Sequence, residues 1–234
     1  ASRPATLGSG WSRRLRSLTA YLVLGSAATL FIAFALATAG TVSAGLYYLA
    51  HSTFAGAALF LLADLIRRRR GAAGDRKDML AALPDRTVPG VLFLIAAVSL
   101  VGLPPLSGFI GKLLLLEAVP SASTGWVWAL VLGTSFMMLV GLARAGTRLF
   151  WRVEPWPDAP PERLTNYVPL DAMAVAPSRP LEATATMLLL AYGIAMALAA
   201  APLLDYTRAT AAQLQSPAAY VEQARAATPM LREP

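Results

Sequence analysis

Apolar stretches long enough to cross a bilayer recur five times along this chain, at residues 17–37, 44–66, 88–119, 125–150 and 182–204. About 20 helical residues at ~1.5 Å rise cover a ~30 Å hydrocarbon core. A helix also satisfies every backbone N–H and C=O within its own segment, which hydrocarbon demands. The recurrence predicts an all-α polytopic membrane protein with about five transmembrane helices. Hydrophobic residues fill 56% of the 234 positions and charged residues only 14%, the composition of a chain solvated largely by lipid.

The net charge of +7 would suggest nucleic acid in a soluble protein, but here the basic residues lie in loops that flank apolar stretches. That distribution excludes a nucleic-acid partner and gives an orientation. The flank 1–16, the loop opening with Arg67-Arg68-Arg69-Arg70 and running to Arg86, and the loop from Arg148 to Arg179 share one side if there are five crossings. The connections 38–43 and 120–124 on the other side carry no charge. By the positive-inside rule the basic side is cytoplasmic and the tail 206–234 is extracytoplasmic, with 17–205 the membrane domain. Within the first basic loop, Met79-Leu80-Ala81-Ala82-Leu83 has the length of an interfacial helix. Trp126 and Trp128 at one end of the fourth stretch, and Phe150 and Trp151 at the other, read as interfacial belts. The tail is expected to be partly disordered near its Pro-rich end. The chain opens Ala1-Ser2-Arg3 without an initiator Met, so further chain upstream is expected. Arg13, Arg14 and Arg16 before an apolar run could pass for a secretory signal, but the later stretches favour a first membrane helix.

The third stretch, 88–119, is too long for one straight crossing, and Gly102-Leu103-Pro104-Pro105-Leu106-Ser107-Gly108 interrupts it near its middle. Counting it as two crossings would separate the Arg-rich loops, so it reads as one broken helix. Pro104 and Pro105 have no N–H to donate, which leaves carbonyls near Val101 and Gly102 without partners inside the helix. Ser107 with Gly108 and Gly111 makes room for hydration there. A simple proline kink is the plainer reading.

His51, Asp64, Lys112 and Glu117 fall inside apolar stretches, where a charge costs at least ~2.5 kcal/mol. Asp64 lies one turn from the arginine run and reads as a partner of Arg67 or Arg68. Lys112 is one of only two lysines, the other being Lys77 in a loop; nearly all other positive charge is arginine. A desolvated lysine, unlike an arginine, can release and rebind a proton. The alternative is a lysine that snorkels to the headgroups, but Lys112 lies roughly 12 Å of helical rise from Pro120. His51, the single histidine, has Tyr47, Ser52 and Thr53 nearby and suits a proton relay. Glu117, five residues beyond Lys112, points about 140° away from it. The sequence has no cysteine, no metal-spaced cluster and no phosphate-binding or nucleophile motif, so no metal, cofactor or soluble active site is expected.

The run Val98-Ser99-Leu100-Val101-Gly102-Leu103-Pro104-Pro105-Leu106-Ser107-Gly108-Phe109-Ile110-Gly111-Lys112 closely resembles the antiporter-like subunits shared by respiratory complex I and Mrp-type cation/proton antiporters. Residues 47–61, around His51, resemble that family's preceding helix. The lysine after Gly111, together with Ala143-Arg144-Ala145-Gly146-Thr147-Arg148-Leu149-Phe150-Trp151, is most similar to the D-type subunit of the Mrp or Pha antiporters.

The resemblance implies a fourteen-helix fold of which this chain is the C-terminal part, helices ten to fourteen. It implies a secondary transporter subunit of the bacterial inner membrane that moves protons through Lys112 and His51. Its implied partners are other subunits of a Na+(K+)/H+ antiporter, with Gly102, Pro104, Pro105, Ser107, Gly108 and Gly111 forming the break. Two other readings stay open. One is a proton-pumping membrane subunit of complex I or a hydrogenase; the other is a non-conducting structural fragment.

Overall fold

The computed structural model describes residues 13–81, 83, 85–151, 167–168 and 180–226. Helices α1 (Leu15–Ala35), α2 (Ala39–Arg69) and α3 (Thr87–Val101) lead to the break. Helices α4 (Ser107–Glu117), α5 (Thr124–Gly146), α6 (Pro180–Leu198), α7 (Ala200–Gln215) and α8 (Ala218–Ala226) follow it. A π-helical turn, Thr147–Trp151, continues α5. With it, α1, α2, α5 and α6 are long and apolar enough to cross a membrane, while α3 and α4 each fall short. The discontinuous third span is therefore present, and its halves have 15 and 11 residues.

The long helix α2 is the hub, packed against α1, α3, α4, α6 and α7. It starts five residues earlier than expected because Thr38 and Thr41 form a reciprocal capping box: the Thr38 hydroxyl accepts from the Thr41 N–H at 3.1 Å and the Thr41 hydroxyl from the Thr38 N–H at 3.2 Å. It ends in Arg67, Arg68 and Arg69, whose charges suit a helix C-terminus. Asp64 accepts from both Arg67 (2.8 Å) and Arg68 (2.7 Å), and Arg68 also reaches Glu182.

The two halves of α2 differ. Ala55, Ala58, Leu59, Leu62 and Ile66 sit in the apolar core with Leu18 and Leu22 of α1, Phe93 and Leu100 of α3, and Leu142 of α5. The other half buries Thr41, Ser43, Tyr47, Tyr48 and His51. Gly45 lets α2 approach α1 closely, since a Cβ there would lie 3.1 Å from that of Ala33.

Three expectations are corrected. Residues 79–83 do not form an interfacial helix: Leu80–Ala81 (β1) pairs in parallel with Tyr167–Val168 (β2), and the loop before it folds over a buried arginine. Arg70, with no solvent exposure, donates to the carbonyls of Gly74 (3.0 Å), Arg76 (2.7 Å) and Met79 (2.9 Å), so backbone acceptors that a helix would use are already taken. Phe150 is not a belt residue; it is buried against Phe93 at 5.4 Å between ring centroids, whereas Trp151 is 74% exposed. The helix of the fifth span ends at Leu198 rather than 204, and α7 and α8 follow it, separated at Ser216 and Pro217. Most of the loop before the fifth span, and the last eight residues, lie outside the described residues.

Candidate functional site at the broken helix

The last four carbonyls of a helix lack intrahelical donors. In α3 these belong to Val98, Ser99, Leu100 and Val101. Gly102 adopts φ +82°, and its N–H reaches Ser99 O at 3.2 Å while the Leu103 N–H reaches Val98 O at 3.0 Å, the paired bonds of a Schellman termination. The carbonyls of Leu100 and Val101 remain. Continued helix would bond them to residues 104 and 105, which are the two prolines.

Lys112 takes both. Its Nζ donates to Val101 O at 2.7 Å, to Leu100 O at 3.3 Å and to Ser135 Oγ of α5 at 2.9 Å. All three partners are neutral, and the side chain is 6% exposed. The ammonium thus lies at the negative end of the α3 dipole, which favours a cation there. It turns back into the break, away from the headgroups that a snorkelling lysine would seek. The unpartnered carbonyls are one residue earlier than expected, because the bond a proline removes is to residue i−4.

His51 faces the start of the second half-helix. Its Nδ1 is 2.9 Å from Ser107 Oγ, and it is 2% exposed. The Tyr48 ring adjoins both groups, 5.6 Å from the imidazole centroid and 6.0 Å from Lys112 Nζ, and its hydroxyl donates to Ser26 of α1 at 3.3 Å. A Cβ on Gly108 would collide with the Ser99 carbonyl and come within 2.7 Å of His51 Nε2. One on Gly111 would press on Tyr48 and Tyr47. The glycines therefore admit rings and backbone at these positions. Gly193 of α6 closes the site near Ser107 and Ser99.

A family model described as NADH:quinone oxidoreductase/Mrp antiporter, TM, matches residues 5–138, more than half of the chain. The chain belongs to this family. Among curated relatives it is 28% identical to the D-type subunit of a probable K(+)/H(+) antiporter of Rhizobium meliloti, covering 91% of this chain and 42% of that protein. It is 29% identical to the D-type subunit of a Na(+)/H(+) antiporter of Alkalihalophilus pseudofirmus, over 90% and 38%. It is 32% identical to an N-type subunit of NADH-quinone oxidoreductase of Symbiobacterium thermophilum, over 74% and 36%. The structure of an Mrp complex from Dietzia sp. contains the same fold at 24% identity and a TM-score of 0.71, over 90% of this chain and 45% of that one. The chain spans less than half the length of these relatives.

Against the family's fold, the expected site residues divide into two groups. Lys112, His51, Ser107 and the glycines and prolines of the break come together. The accessory residues do not. Tyr47 donates to Met196 O of α6 at 3.0 Å, and it is Tyr48 that adjoins His51. Ser52 and Thr53 bond back to the Leu49 carbonyl of their own helix. Glu117 is exposed at the far end of α4, in a cleft of about 260 Å³ shared with Ser43 and Arg208. Ser99, Ser135 and Tyr48 were missed; only the polar Thr134-Ser135 pair within an apolar span hinted at the second of them.

Proposed function

We propose that this chain is the C-terminal, proton-carrying part of the D-type subunit of a multisubunit Na+(K+)/H+ antiporter of the bacterial inner membrane. Lys112 takes up and releases the proton and His51 relays it. The supporting observation is the set of Lys112 partners. As an ammonium it uses its three N–H bonds on Leu100 O, Val101 O and Ser135 Oγ. As an amine it keeps two donors for the carbonyls and offers its lone pair to the Ser135 hydroxyl, which reverses from acceptor to donor. Both states are satisfied without moving the backbone. The His51–Ser107 pair has the same property, since the hydroxyl donates to a bare Nδ1 and accepts from a protonated one.

In this reading the chain crosses the membrane five times, at about 17–37, 44–66, 88–119 and 125–150 and then along α6, with the Arg-rich loops cytoplasmic and the tail outside. Charge on Lys112 is coupled by repulsion along the membrane plane to cation movement in neighbouring subunits. The test uses the full-length protein in its assembled complex, in vesicles. Lys112→Ala and Lys112→Arg both lower cation-driven proton exchange by about 100-fold or more, while the complex still assembles on native gels. Arginine is the decisive variant: it could cap the two carbonyls but cannot release a proton. Activity retained with arginine would favour a structural cap, and activity retained with alanine a non-conducting fragment. The similarity to the N-type subunit of NADH-quinone oxidoreductase keeps a second reading, a proton-pumping redox complex. Proton movement that requires quinone reduction and ignores Na+ and K+ would establish it.

A further inference from the structure

We propose that Arg144, Arg148 and Lys77 form a binding site for the headgroup of an anionic phospholipid, where α5 leaves the bilayer on the side of the Arg-rich loops. Arg144 and Arg148 are one helical turn apart and, with Ala143 and Thr147, line a surface cavity of about 280 Å³. Elsewhere Arg16, Arg67, Arg68, Arg76 and Arg208 each hold a carboxylate. Among the described residues, neither arginine at this cavity is engaged by a hydrogen bond or ion pair, and the ammonium of Lys77 has no such partner either.

Lys77 is only 7% exposed. Burial first, and then the charges of Arg148 and Arg144, push it down to about 8 from its ordinary value. Asp78 offsets part of this, but its carboxylate is held by Arg76 at 2.8 Å, so the three cations keep an excess of positive charge that an anion would balance, and a phosphate offers several acceptor oxygens to guanidinium groups.

The surroundings choose a lipid over free phosphate. Arg144 and Arg148 lie on the same face of α5 as Met137, which is 55% exposed, with Phe136 beside it at 60%. Acyl chains lying on that face bring their phosphate to the arginines. Trp151, one turn further and 74% exposed, suits the headgroup level. The inference is independent of proton carriage by Lys112.

The test titrates the full-length protein in detergent with phosphatidylglycerol, phosphatidylcholine or inorganic phosphate and counts bound lipid by native mass spectrometry. Phosphatidylglycerol is expected to bind more tightly than phosphatidylcholine. Affinity should fall about fivefold for Arg144→Gln or Arg148→Gln alone and roughly 25-fold for both. These positions are exposed, so the variants fold; an unchanged melting curve in phosphatidylcholine alone checks that. Lys77→Gln gives a second route to the same loss. Equal affinity for the two lipids, phosphatidylglycerol affinity within twofold of wild type in the double variant, or displacement of phosphatidylglycerol by millimolar phosphate would each overturn the proposal.

Discussion

Ser135 is the side chain on which a proton-carrying Lys112 most depends, because its hydroxyl alone among the three partners can both accept and donate. Ser135→Ala leaves one ammonium N–H of the charged state, or the lone pair of the neutral state, without a partner. A hydrogen bond to a charged group contributes about 1.5–3 kcal/mol, so exchange should slow by roughly 10- to 100-fold. Ser135→Thr, which keeps the hydroxyl, should recover most of the rate; an alanine variant as fast as wild type would remove Ser135 from the mechanism. At this scale Lys112 and His51 were legible because an ionisable side chain in an apolar run stands out. Ser107 was legible as part of the break, though not as the neighbour of His51, and Ser135 was marked only by its polar neighbour Thr134. A serine in a membrane helix usually satisfies itself on its own backbone, as Ser52 does, so a hydroxyl alone does not announce a partner on another helix.

Between elements, α3 and α4 together make one span whose break is specified by three residues. Gly102 supplies the left-handed conformation that ends α3, and its Cβ would in any case lie 2.9 Å from the Lys112 side chain. Pro104 and Pro105 withhold the two N–H groups that would otherwise close on Leu100 O and Val101 O. Replacing both prolines by alanine should supply those donors and release Lys112 from the carbonyls. Exchange is expected to fall at least tenfold with the complex still assembled, and the new amides at 104 and 105 should be protected in hydrogen exchange. Wild-type exchange in this variant would mean that the carbonyls are not needed. The break was readable in advance from its Gly and Pro spacing. The loop over Arg70 was not: its acceptors are backbone carbonyls, which no sequence pattern marks, and the apolar run 79–83 looked helical only in isolation.

Across the whole molecule, α2 gains a further neighbour because the chain returns to it from its far end. The Ser43 and Thr207 hydroxyls meet at 3.0 Å, and Gln215 donates to the Ala37 carbonyl at 2.9 Å. A chain without cysteine offers a clean background for testing this. The pair Ser43→Cys and Thr207→Cys should form a disulfide under mild oxidation, seen as a mobility shift reversed by reductant; failure to cross-link would place α7 elsewhere. The sequence by itself determined the solvent, the helical class, the break in the third span and the two ionisable side chains buried beside it. Each follows from local quantities: length of apolar run, missing N–H groups, and the cost of a charge in lipid. Only the tertiary structure decided that Lys112 caps the orphaned carbonyls of α3 and that Tyr48 rather than Tyr47 adjoins His51. It alone brought Ser135 to the ammonium, Lys77 to the arginines of α5, and α7 onto α2. Those pairings depend on the rotation and approach of helices far apart in the chain, which small residues permit and no single segment encodes.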